Sequence, residues 1–391
     1  MSGIRGFLRR EPTLVIAALA ALVSCFLVPP DRGYLGYVDF RTLALLYCLM
    51  CVVAGLRQAG LFDAMAKTIC GLAGGTRSLG ILLVLLCFFT SMLITNDVAL
   101  LTFVPFAVVV LGMAGKKQAL LPVVVLQTVA ANLGSMLTPV GNPQNLYLYS
   151  HYDMELGAFL RVTFPIWALS LGLILCCGFL IPKGALEPGA REITSLQKGR
   201  LGLYLGLFAL CLLTVLRILD WHIMLALVVL ALLLLDRPGL ARADGWLLLT
   251  FVAFFVFAGN LARVEAVDVL LRRLLADREY LAGLLTSQVI SNVPAALLLS
   301  GFTSESRPLI LGVNVGGLGT PIASLASLIS LKLYARSDGA SMGRYLALFT
   351  LVNVALLALL SLAAGIHPER TGSAYSRSRF CDMESSMRLK V

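Results

Sequence analysis

The stretch TSMLITNDVALL, residues 90–101, carries an acidic residue, Asp97, in one of the most apolar parts of the chain. Nearly the same stretch, TSQVISNVPAAL, returns at residues 286–297 without the acid. When the two are aligned without gaps, Val293 takes the place of Asp97 and the asparagine before it is shared. Similarity of this kind within one chain indicates an internal repeat. One copy of the repeat has a charge that the other lacks.

A second pair of similar stretches follows the first pair in the same order. NLGSMLTPVGN at residues 132–142 and NVGGLGTPIAS at residues 314–324 share the frame N-x-G-x-x-x-T-P. A weaker third correspondence lies upstream and needs one gap. It pairs Ala54, Gly55 and Asp63 with Ala258, Gly259 and Asp268. Close helix packing through small and polar residues can produce one such match, whereas three in the same order favour a duplicated unit.

The composition of the chain places it in a membrane. Of its 391 residues, 59% are hydrophobic and 13% are charged, which leaves too little polar surface to cover a soluble protein of this size. Apolar runs long enough to cross a hydrocarbon core of roughly 30 Å recur along the chain. They lie at residues 12–29, 37–57, 117–149, 158–181, 200–219, 222–236, 246–262, 308–334 and 343–366. We therefore expect an all-α polytopic membrane protein surrounded by the lipid bilayer.

The net charge of +10 does not indicate a nucleic-acid-binding protein, because the basic residues are scattered through short loops rather than gathered on one face. In membrane proteins such residues are enriched in cytoplasmic loops. Arg5, Arg9 and Arg10 precede the first apolar run, and alternating the sides from there places most basic loop residues on the side of the N-terminus. The pattern predicts a multi-pass protein of the inner (plasma) membrane with a cytoplasmic N-terminus.

The repeats divide the chain into four parts. We expect a first repeat at residues 1–181, a linker at 182–221 with one additional span, a second repeat at 222–366 and a polar tail at 367–391. The additional span turns the second copy over in the membrane, so the two repeats are expected to be inverted. Inverted repeats with broken helices are typical of secondary transporters, whose binding sites lie near the bilayer midplane.

Each repeat contains a segment that is unsuited to a simple crossing and is predicted to form a re-entrant helical hairpin. These segments are residues 79–114 and 280–300. Their turns are predicted at Thr95, Asn96 and Asp97 in the first hairpin, and at Ser291 and Asn292 in the second. Backbone that leaves helical pairing inside a bilayer must be buried in protein or face water. Asn and Asp tolerate left-handed backbone geometry, and Thr, Asn and Asp can all cap the next helix and offer oxygen ligands.

The segments with the frame N-x-G-x-x-x-T-P break a longer helix in each repeat. Glycine and proline interrupt the spans at residues 117–149 and 308–334. Each interruption frees carbonyl groups, which can hold a small cation, and N–H groups at a positive helix end, which can hold an anion. Further polar ligands at the breaks are Asn132, Thr138, Asn142 and Asn145 in the first, and Asn314, Thr320 and Ser324 in the second. The alternative is that these residues only cap helices and join them by hydrogen bonds.

The stretches TNDVALLTFVP, SNVPA and TPVGNPQNLYLYS resemble the signatures of the ion transporter superfamily. That superfamily includes arsenite efflux permeases, NhaD-type sodium/proton antiporters, citrate permeases and divalent anion:sodium symporters. The resemblance covers nearly the whole chain and implies a homodimeric elevator-type carrier with two cation sites and an anion between them. Its sodium-coupled dicarboxylate branch has Ser-Asn-Thr at both hairpin turns, whereas this chain has Thr-Asn-Asp and Ser-Asn-Val, so a dicarboxylate substrate is not implied.

The resemblance also implies which residues form the sites. The cation ligands would be Thr95, Asn96, Asp97, Asn132 and Asn142 in the first site, and Ser291, Asn292, Asn314 and Thr320 in the second. The anion is expected to contact Thr95, Asn96, Asn142, Pro143, Asn145, Ser291, Asn292, Thr320 and Ser324. Sodium ions or protons would be the coupling ions, and no resident cofactor is expected.

Asp97 is the most informative residue of the predicted site, because an ionisable group at membrane depth is costly and usually functional. It is expected either to bind sodium as a permanent carboxylate or to take up a proton and make the carrier proton-coupled. A purely structural role at the start of a helix is the alternative. No Lys or Arg is found well inside a span near the hairpins, so an anion would depend on helix N-termini, neutral side chains and a bound cation.

Enzyme classes fit the sequence poorly. An intramembrane aspartyl protease needs two facing acids, and Asp97 has no second acid at comparable depth, while all three histidines lie in predicted loops or at span ends. We therefore predict a secondary transporter, not an enzyme, that moves a small inorganic or carboxylate anion coupled to sodium or protons. The alternatives are a sodium/proton antiporter without an anion substrate and an arsenite-type efflux permease.

Overall fold

A computed structural model of the chain describes residues 12–185 and 196–366, and within these ranges it contains helices and no strand. The first eleven residues, residues 186–195 of the predicted linker and the predicted polar tail at 367–391 lie outside the described residues.

Seventeen α-helices follow one another in the described ranges. They are α1 (Pro12–Leu27), α2 (Phe40–Gln58), α3 (Leu61–Gly71), α4 (Thr76–Ile94), α5 (Asn96–Met113), α6 (Lys117–Gly134), α7 (Pro143–His151), α8 (Leu156–Cys177), α9 (Lys198–Val215), α10 (Trp221–Leu235), α11 (Gly245–Arg263), α12 (Glu265–Leu275), α13 (Glu279–Ile290), α14 (Asn292–Ser300), α15 (Ser306–Val315), α16 (Leu325–Ala335) and α17 (Met342–Ile366).

Seven helical segments in the described ranges are long and apolar enough to cross a membrane. They are Phe40–Gln58, Thr76–Ile94, Lys117–Leu137, Leu156–Leu180, Lys198–Val215, Gly245–Arg263 and Met342–Gly365. Four shorter apolar helices, α1, α5, α10 and α16, accompany them. The prediction of an all-α polytopic membrane protein is confirmed.

Two short helices, α3 and α12, were not expected from the sequence. Each follows a membrane-length helix, and each carries one of the paired acids, Asp63 and Asp268, in its first turn. In α12 the guanidinium of Arg272 lies 2.8 Å from the carboxylate of Asp268, one turn away. A search for long apolar runs does not detect helices of eleven residues with a polar face.

The weak upstream match in the sequence corresponds to two similar packing arrangements. A Cβ atom on Gly55 of α2 would lie 2.0 Å from the ring of Tyr204, and one on Gly259 of α11 would lie 2.4 Å from the ring of Tyr37. Real Cβ atoms do not approach other atoms so closely, so both positions require glycine. Each glycine lets a tyrosine ring rest against the helix backbone.

Two helical hairpins and two broken helices, eight helical segments in all, pack around the centre of the described part of the molecule. The chain breaks between α4 and α5 at Thr95, and between α13 and α14 at Ser291. The first broken helix consists of α6 and α7. Its first part, α6, ends at Gly134, and two short 3₁₀ turns, Ser135–Leu137 and Pro139–Gly141, connect it to α7. The second broken helix consists of α15 and α16, and the nonhelical stretch between them contains several glycines and a proline. Proline and glycine account for both interruptions.

The packing of these helices is crossed between the two halves of the chain. Helix α4 packs against α6, and the corresponding α13 packs against α15. The second arms contact the opposite half, since α5 packs against α16 and α14 packs against α7. Each broken helix thus contacts its own hairpin with its first part and the other hairpin with its second part. The inverted membrane orientation of the halves and the elevator motion remain predictions.

Candidate functional site

Four helices begin at the wall of one small cavity in the centre of the crossed packing. Its volume is about 10 Å³, roughly the space that one water molecule needs. The wall is formed by Asn96 and Asp97 at the start of α5, Pro143 and Gln144 at the start of α7, Asn292 and Val293 at the start of α14, Ser324 and Leu325 at the start of α16, and Leu247 near the start of α11.

The helix starts contribute positive potential to the cavity, which the carboxyl group of Asp97 in the same wall opposes when it is ionised. The first turn of a helix carries N–H groups without intrahelical partners, and its aligned dipoles amount to roughly half a positive charge. Two of the helices come from each half of the chain, α5 and α7 from the first and α14 and α16 from the second. Four such ends facing one point favour a bound anion.

The backbone at the two hairpin tips has nearly the same unusual conformation. Thr95 has φ 68° and ψ 148°, and Ser291 has φ 74° and ψ 154°. Residues other than glycine rarely adopt a positive φ of this kind, and the strain costs about 1–3 kcal/mol at each position. The sequence pointed to the Asn and Asp side chains as those suited to left-handed geometry. The positive φ falls on the preceding residue instead, because Asn96 and Asn292 already begin the outgoing helices.

Asn132 of α6 joins the two halves of the chain behind the cavity. Its Oδ1 accepts hydrogen bonds from Nδ2 of Asn96 at 3.1 Å and from Oγ of Ser324 at 3.0 Å. Its Nδ2 donates to Oγ of Ser327 on α16 at 3.3 Å. All four side chains are buried. One amide therefore fixes the first hairpin tip against the start of α16, the second part of the second broken helix.

The corresponding residue of the second half, Asn314 of α15, makes the corresponding connection in the opposite direction. Its Nδ2 donates to Oδ1 of Asn145 on α7 at 2.7 Å and to the carbonyl of Ile310 at 2.8 Å. In the aligned repeats Asn145 occupies the position of Ser327. The two halves are thus joined by two related contacts between a first half-helix and the opposite second half-helix.

Several buried polar atoms near the cavity have no hydrogen-bond partner in the described part of the chain. They include Oδ1 of Asn142, Oδ1 of Asn314 and Nε2 of Gln144. An unpartnered buried polar group costs about 1–3 kcal/mol. Amide oxygens suit a hard cation, which takes oxygen ligands, and an amide N–H suits an anion. The chemistry of these orphaned groups therefore fits both a small cation and an anion.

Gln288, one turn before the second tip, donates hydrogen bonds to carbonyl groups that lose their helical partners at the break in the second broken helix. Its Nε2 donates to the carbonyl oxygens of Gly316 at 2.7 Å and Leu318 at 2.9 Å. Its Oε1 accepts from the backbone N–H of Thr320 at 2.9 Å, while the hydroxyl of Thr320 donates to the Gln288 carbonyl. At the first break the side-chain amide of Asn145 reaches the freed carbonyls instead.

The predicted site residues fall into three groups in the structure. Those in the cavity wall are Asn96, Asp97, Pro143, Asn292 and Ser324. Those beside or behind the wall are Thr95, Asn132, Asn142, Asn145, Ser291 and Asn314. Thr320 does not line the cavity; it is exposed, and its polar groups bond to Gln288. The roles of all these residues as ligands remain predictions.

Sequence reasoning missed three residues at or near the site. Gln144 stands inside the motif TPVGNPQN, where its position between Pro143 and Asn145 was the available signal. Gln288 stands inside the second hairpin stretch. Arg57 lies 44 positions from Leu101, yet its Nη2 donates to the Leu101 carbonyl at 2.9 Å. This contact places an arginine from the exposed end of α2 beside the hairpin arm that begins at Asp97, whereas the prediction from the sequence concerned only Lys and Arg well inside a span.

Crossed hairpins and broken helices around a closed central cavity define a multi-pass α-helical membrane transporter. A family model described as "Citrate transporter" matches residues 6–306, and the chain belongs to this family, which is a member of the ion transporter superfamily. The resemblance noted from the sequence motifs is thereby confirmed. The prediction of a transporter rather than an enzyme is confirmed as well.

Individual relatives support the same assignment. The chain is 32% identical to inner membrane protein YbiR of Escherichia coli over 324 residues, which cover 81% of this chain and 86% of the relative. It is 31% identical to uncharacterized transporter MJ0456 of Methanocaldococcus jannaschii over 330 residues, or 84% of this chain and 90% of the relative. Silicon efflux transporter LSI3 of Oryza sativa is 27% identical over 192 residues, or 46% of this chain and 39% of the relative.

Proposed function

We propose that the protein is a secondary active transporter of the inner membrane that moves a small inorganic or carboxylate anion coupled to sodium ions or protons. The observation that carries this proposal is the convergence of four helix N-termini on one buried cavity. Such an arrangement attracts negative charge without a permanent cationic side chain in the wall. The cytoplasmic N-terminus and the homodimer belong to the same proposal.

Coupling follows from the position of Asp97 in the same wall. A carboxylate there repels an anion that enters the cavity, and the repulsion is strong where water is excluded. A proton on Asp97 or a sodium ion beside it removes this repulsion, so the cation and the anion bind together. The unpartnered oxygens of Asn142 and Asn314 supply further oxygen ligands for a cation.

The size of the cavity implies movement during transport. At about 10 Å³ the space admits one small ion, whereas a carboxylate substrate needs far more. The walls formed by the hairpin tips and the broken helices therefore have to separate for an anion to enter. The strained backbone at Thr95 and Ser291 places two candidate hinges at the ends of these walls.

The test is transport by the purified protein in proteoliposomes with sodium and proton gradients imposed separately. Citrate, succinate, sulfate, phosphate and arsenite are offered as labelled substrates. We expect accumulation of citrate, succinate, sulfate or phosphate, driven by one of the two gradients and absent when both are dissipated. Sodium/proton exchange that proceeds equally with and without every anion would replace the anion carrier with an antiporter.

The antiporter is the second candidate because Asp97 forms no salt bridge in the described ranges and the cavity has the size of a single ion. An arsenite-type efflux permease is the third, and the similarity to a silicon efflux transporter supports the direction of efflux. Loading the vesicles with arsenite and measuring its exit under an inward proton gradient separates this candidate from an uptake carrier.

A further inference from the structure

A larger cavity of about 660 Å³ lies beside α5. From α5 it is lined by Leu101, Thr102, Pro105, Phe106 and Val109, and from other elements by Ala54, Arg57, Gln58, Phe62, Asp63 and Arg242. Leu101 and Pro105 follow Asp97 at intervals of four residues, so the three lie on one face of the helix. The cavity, here called the α5 vestibule, therefore runs along the helix face that ends at Asp97.

Arg57 is held in the vestibule by a defect in α5. Pro105 has no N–H, so the carbonyl of Leu101 lacks the partner that an ordinary helical residue would supply. Nη2 of Arg57 donates to this carbonyl at 2.9 Å. The contact lies about 6 Å along the helix axis from Asp97, given the rise of 1.5 Å per residue. Proline in the hairpin arm thus creates an attachment point for an arginine from α2.

The charge of Arg57 has no direct counter-ion in the parts of the chain that the structure describes. Neither Arg57 nor Asp63 forms a salt bridge there, whereas Arg242 lies 2.9 Å from the buried carboxylate of Asp236. Arg57 is exposed, and within the described ranges its hydrogen bond to the Leu101 carbonyl leaves further guanidinium donors for a ligand. A guanidinium of this kind matches carboxylate and oxyanion groups.

We infer that the α5 vestibule is the route by which small anions reach the central cavity, and that Arg57 is an anion-binding residue on this route. The inference rests on the proposed anion transport and adds a site that the central cavity does not contain. The Leu101 carbonyl to which Arg57 is bound lies four residues beyond Asp97 on the same helix, so an anion at Arg57 is held beside the helix that begins at the central cavity. It can advance when a proton or a sodium ion at Asp97 removes the repulsion.

The local potential of the vestibule can be measured without knowledge of the substrate. Thr102→Cys and Val109→Cys are made in full-length protein whose reactive native cysteines have been replaced. Each variant, in membrane vesicles, is treated with a negatively charged and a positively charged thiosulfonate of similar size. The ratio of the two modification rates reports the preference of the site for anions.

We expect Arg57→Gln to lower the anion-to-cation rate ratio at Thr102→Cys about tenfold, because one charge at short range is removed. The effect at Val109→Cys should be below about twofold, since that site lies about 12 Å along α5 from Leu101, beyond one screening length at ordinary ionic strength. Arg57→Lys keeps the charge and should stay within about threefold of the parent.

Arg161→Gln is the matched control. Arg161 is also exposed, also donates to a backbone carbonyl, that of Gly157, and lines a different cavity between α8, α15 and α17. Its substitution should leave the ratio at Thr102→Cys unchanged. The inference is overturned if Thr102→Cys and Val109→Cys react with neither reagent, or if Arg57→Gln and Arg161→Gln change the ratio equally.

Transport supplies a separate readout. With an anion that the parent protein transports, Arg57→Gln should raise KM about tenfold and change kcat by less than about twofold, because a vestibule residue acts before the transport step. An unchanged KM would reject the role of Arg57 while leaving anion transport intact. If the parent protein transports no anion, the proposed function fails, and the rate ratios still decide whether the vestibule concentrates anions.

Discussion

The two hairpin tips have nearly the same backbone and different side chains. Thr95 and Ser291 agree within about ten degrees in both dihedral angles. The neighbouring glycines agree as well. A Cβ on Gly134 would collide with the backbone of Phe88, and one on Gly316 with the backbone of Leu284, the equivalent residue of the second repeat. The tight packing of hairpin on broken helix is therefore the shared property of the two halves.

The difference lies in the residues that face the central cavity. Asp97 and Gln144 of the first half correspond to Val293 and Ala326 of the second, and both replacements remove a polar group. Val293 and Ala326 are buried. The shared geometry thus carries different chemistry: the first half has a carboxyl group at Asp97 and an unpartnered amide at Gln144, and the second half has apolar side chains at the two equivalent positions. Under the proposed function, this difference predicts that coupling and substrate selection depend mainly on the first half.

The largest effect is expected for the amide that joins the halves. Asn132→Ala leaves Asn96, Ser324 and Ser327 without a shared partner, and each buried loss costs about 1–3 kcal/mol. We expect transport to fall about a hundredfold or more. Asn314→Ala deprives one side chain, Asn145, and should lower transport about tenfold. Initial rates in proteoliposomes, together with thermal unfolding of the purified proteins, measure both effects.

Asn353→Ala is the control for these two substitutions. Asn353 is a buried asparagine of α17 whose Nδ2 donates to the Phe349 carbonyl of its own helix. Transport by this variant should stay within about twofold of the parent. An equal loss of transport in Asn353→Ala and Asn132→Ala would mean that the loss of any buried amide lowers transport. The special role of Asn132 in joining the two halves would then be rejected.

The next largest effect is expected for the charge that only the first tip carries. Asp97→Asn keeps the shape of the side chain and removes its charge, so transport should fall about tenfold or more and lose its dependence on one gradient. Loss of pH dependence with sodium drive retained identifies a proton carrier, and loss of sodium dependence identifies a sodium ligand. The nearly isosteric Val293→Thr at the second tip should change transport less than twofold. Full coupling by Asp97→Asn contradicts the proposed role.

Much of the fold could be predicted from the sequence, because long apolar runs and proline or glycine breaks are local signals. The predicted span at 222–236 is α10, Trp221–Leu235. Helices α3 and α12 were not predicted because, at eleven residues each, they are too short to be detected as long apolar runs. Contacts such as Arg57 with Leu101, or Asn314 with Asn145, join distant parts of the chain and depend on how the halves cross. The sequence motifs therefore identified many residues that lie at the site, whereas the hydrogen-bond partners of these residues could be identified only from the packing of the helices.

A smaller effect is expected for the unpartnered amide of the first half. Gln144→Leu keeps the volume of the side chain and removes a donor, so KM for the transported anion should rise about tenfold, the cost of one hydrogen bond to a charged group. Ala326→Ser adds a hydroxyl at the equivalent position of α16 and should leave KM within about twofold. A Gln144→Leu variant with an unchanged KM and a reduced kcat would assign Gln144 to the moving wall and not to the substrate.

The smallest effect is expected where the second half carries the extra polar group. Gln288 of the second repeat aligns with Met92 of the first, so Gln288→Met gives the second repeat the side chain of the first. The substitution removes the hydrogen bonds from the Gln288 side chain to the carbonyl oxygens of Gly316 and Leu318. Thr320 beside them is exposed, so water can replace the lost amide, and transport should fall only about threefold. The sodium concentration for half-maximal rate should shift by less than about threefold, because these carbonyls lie outside the central cavity. A loss as large as that of Asn132→Ala, or a sodium response changed more than tenfold, would make the second break an ion site equal to the first. The hypothesis that coupling and substrate selection depend mainly on the first half would then be rejected.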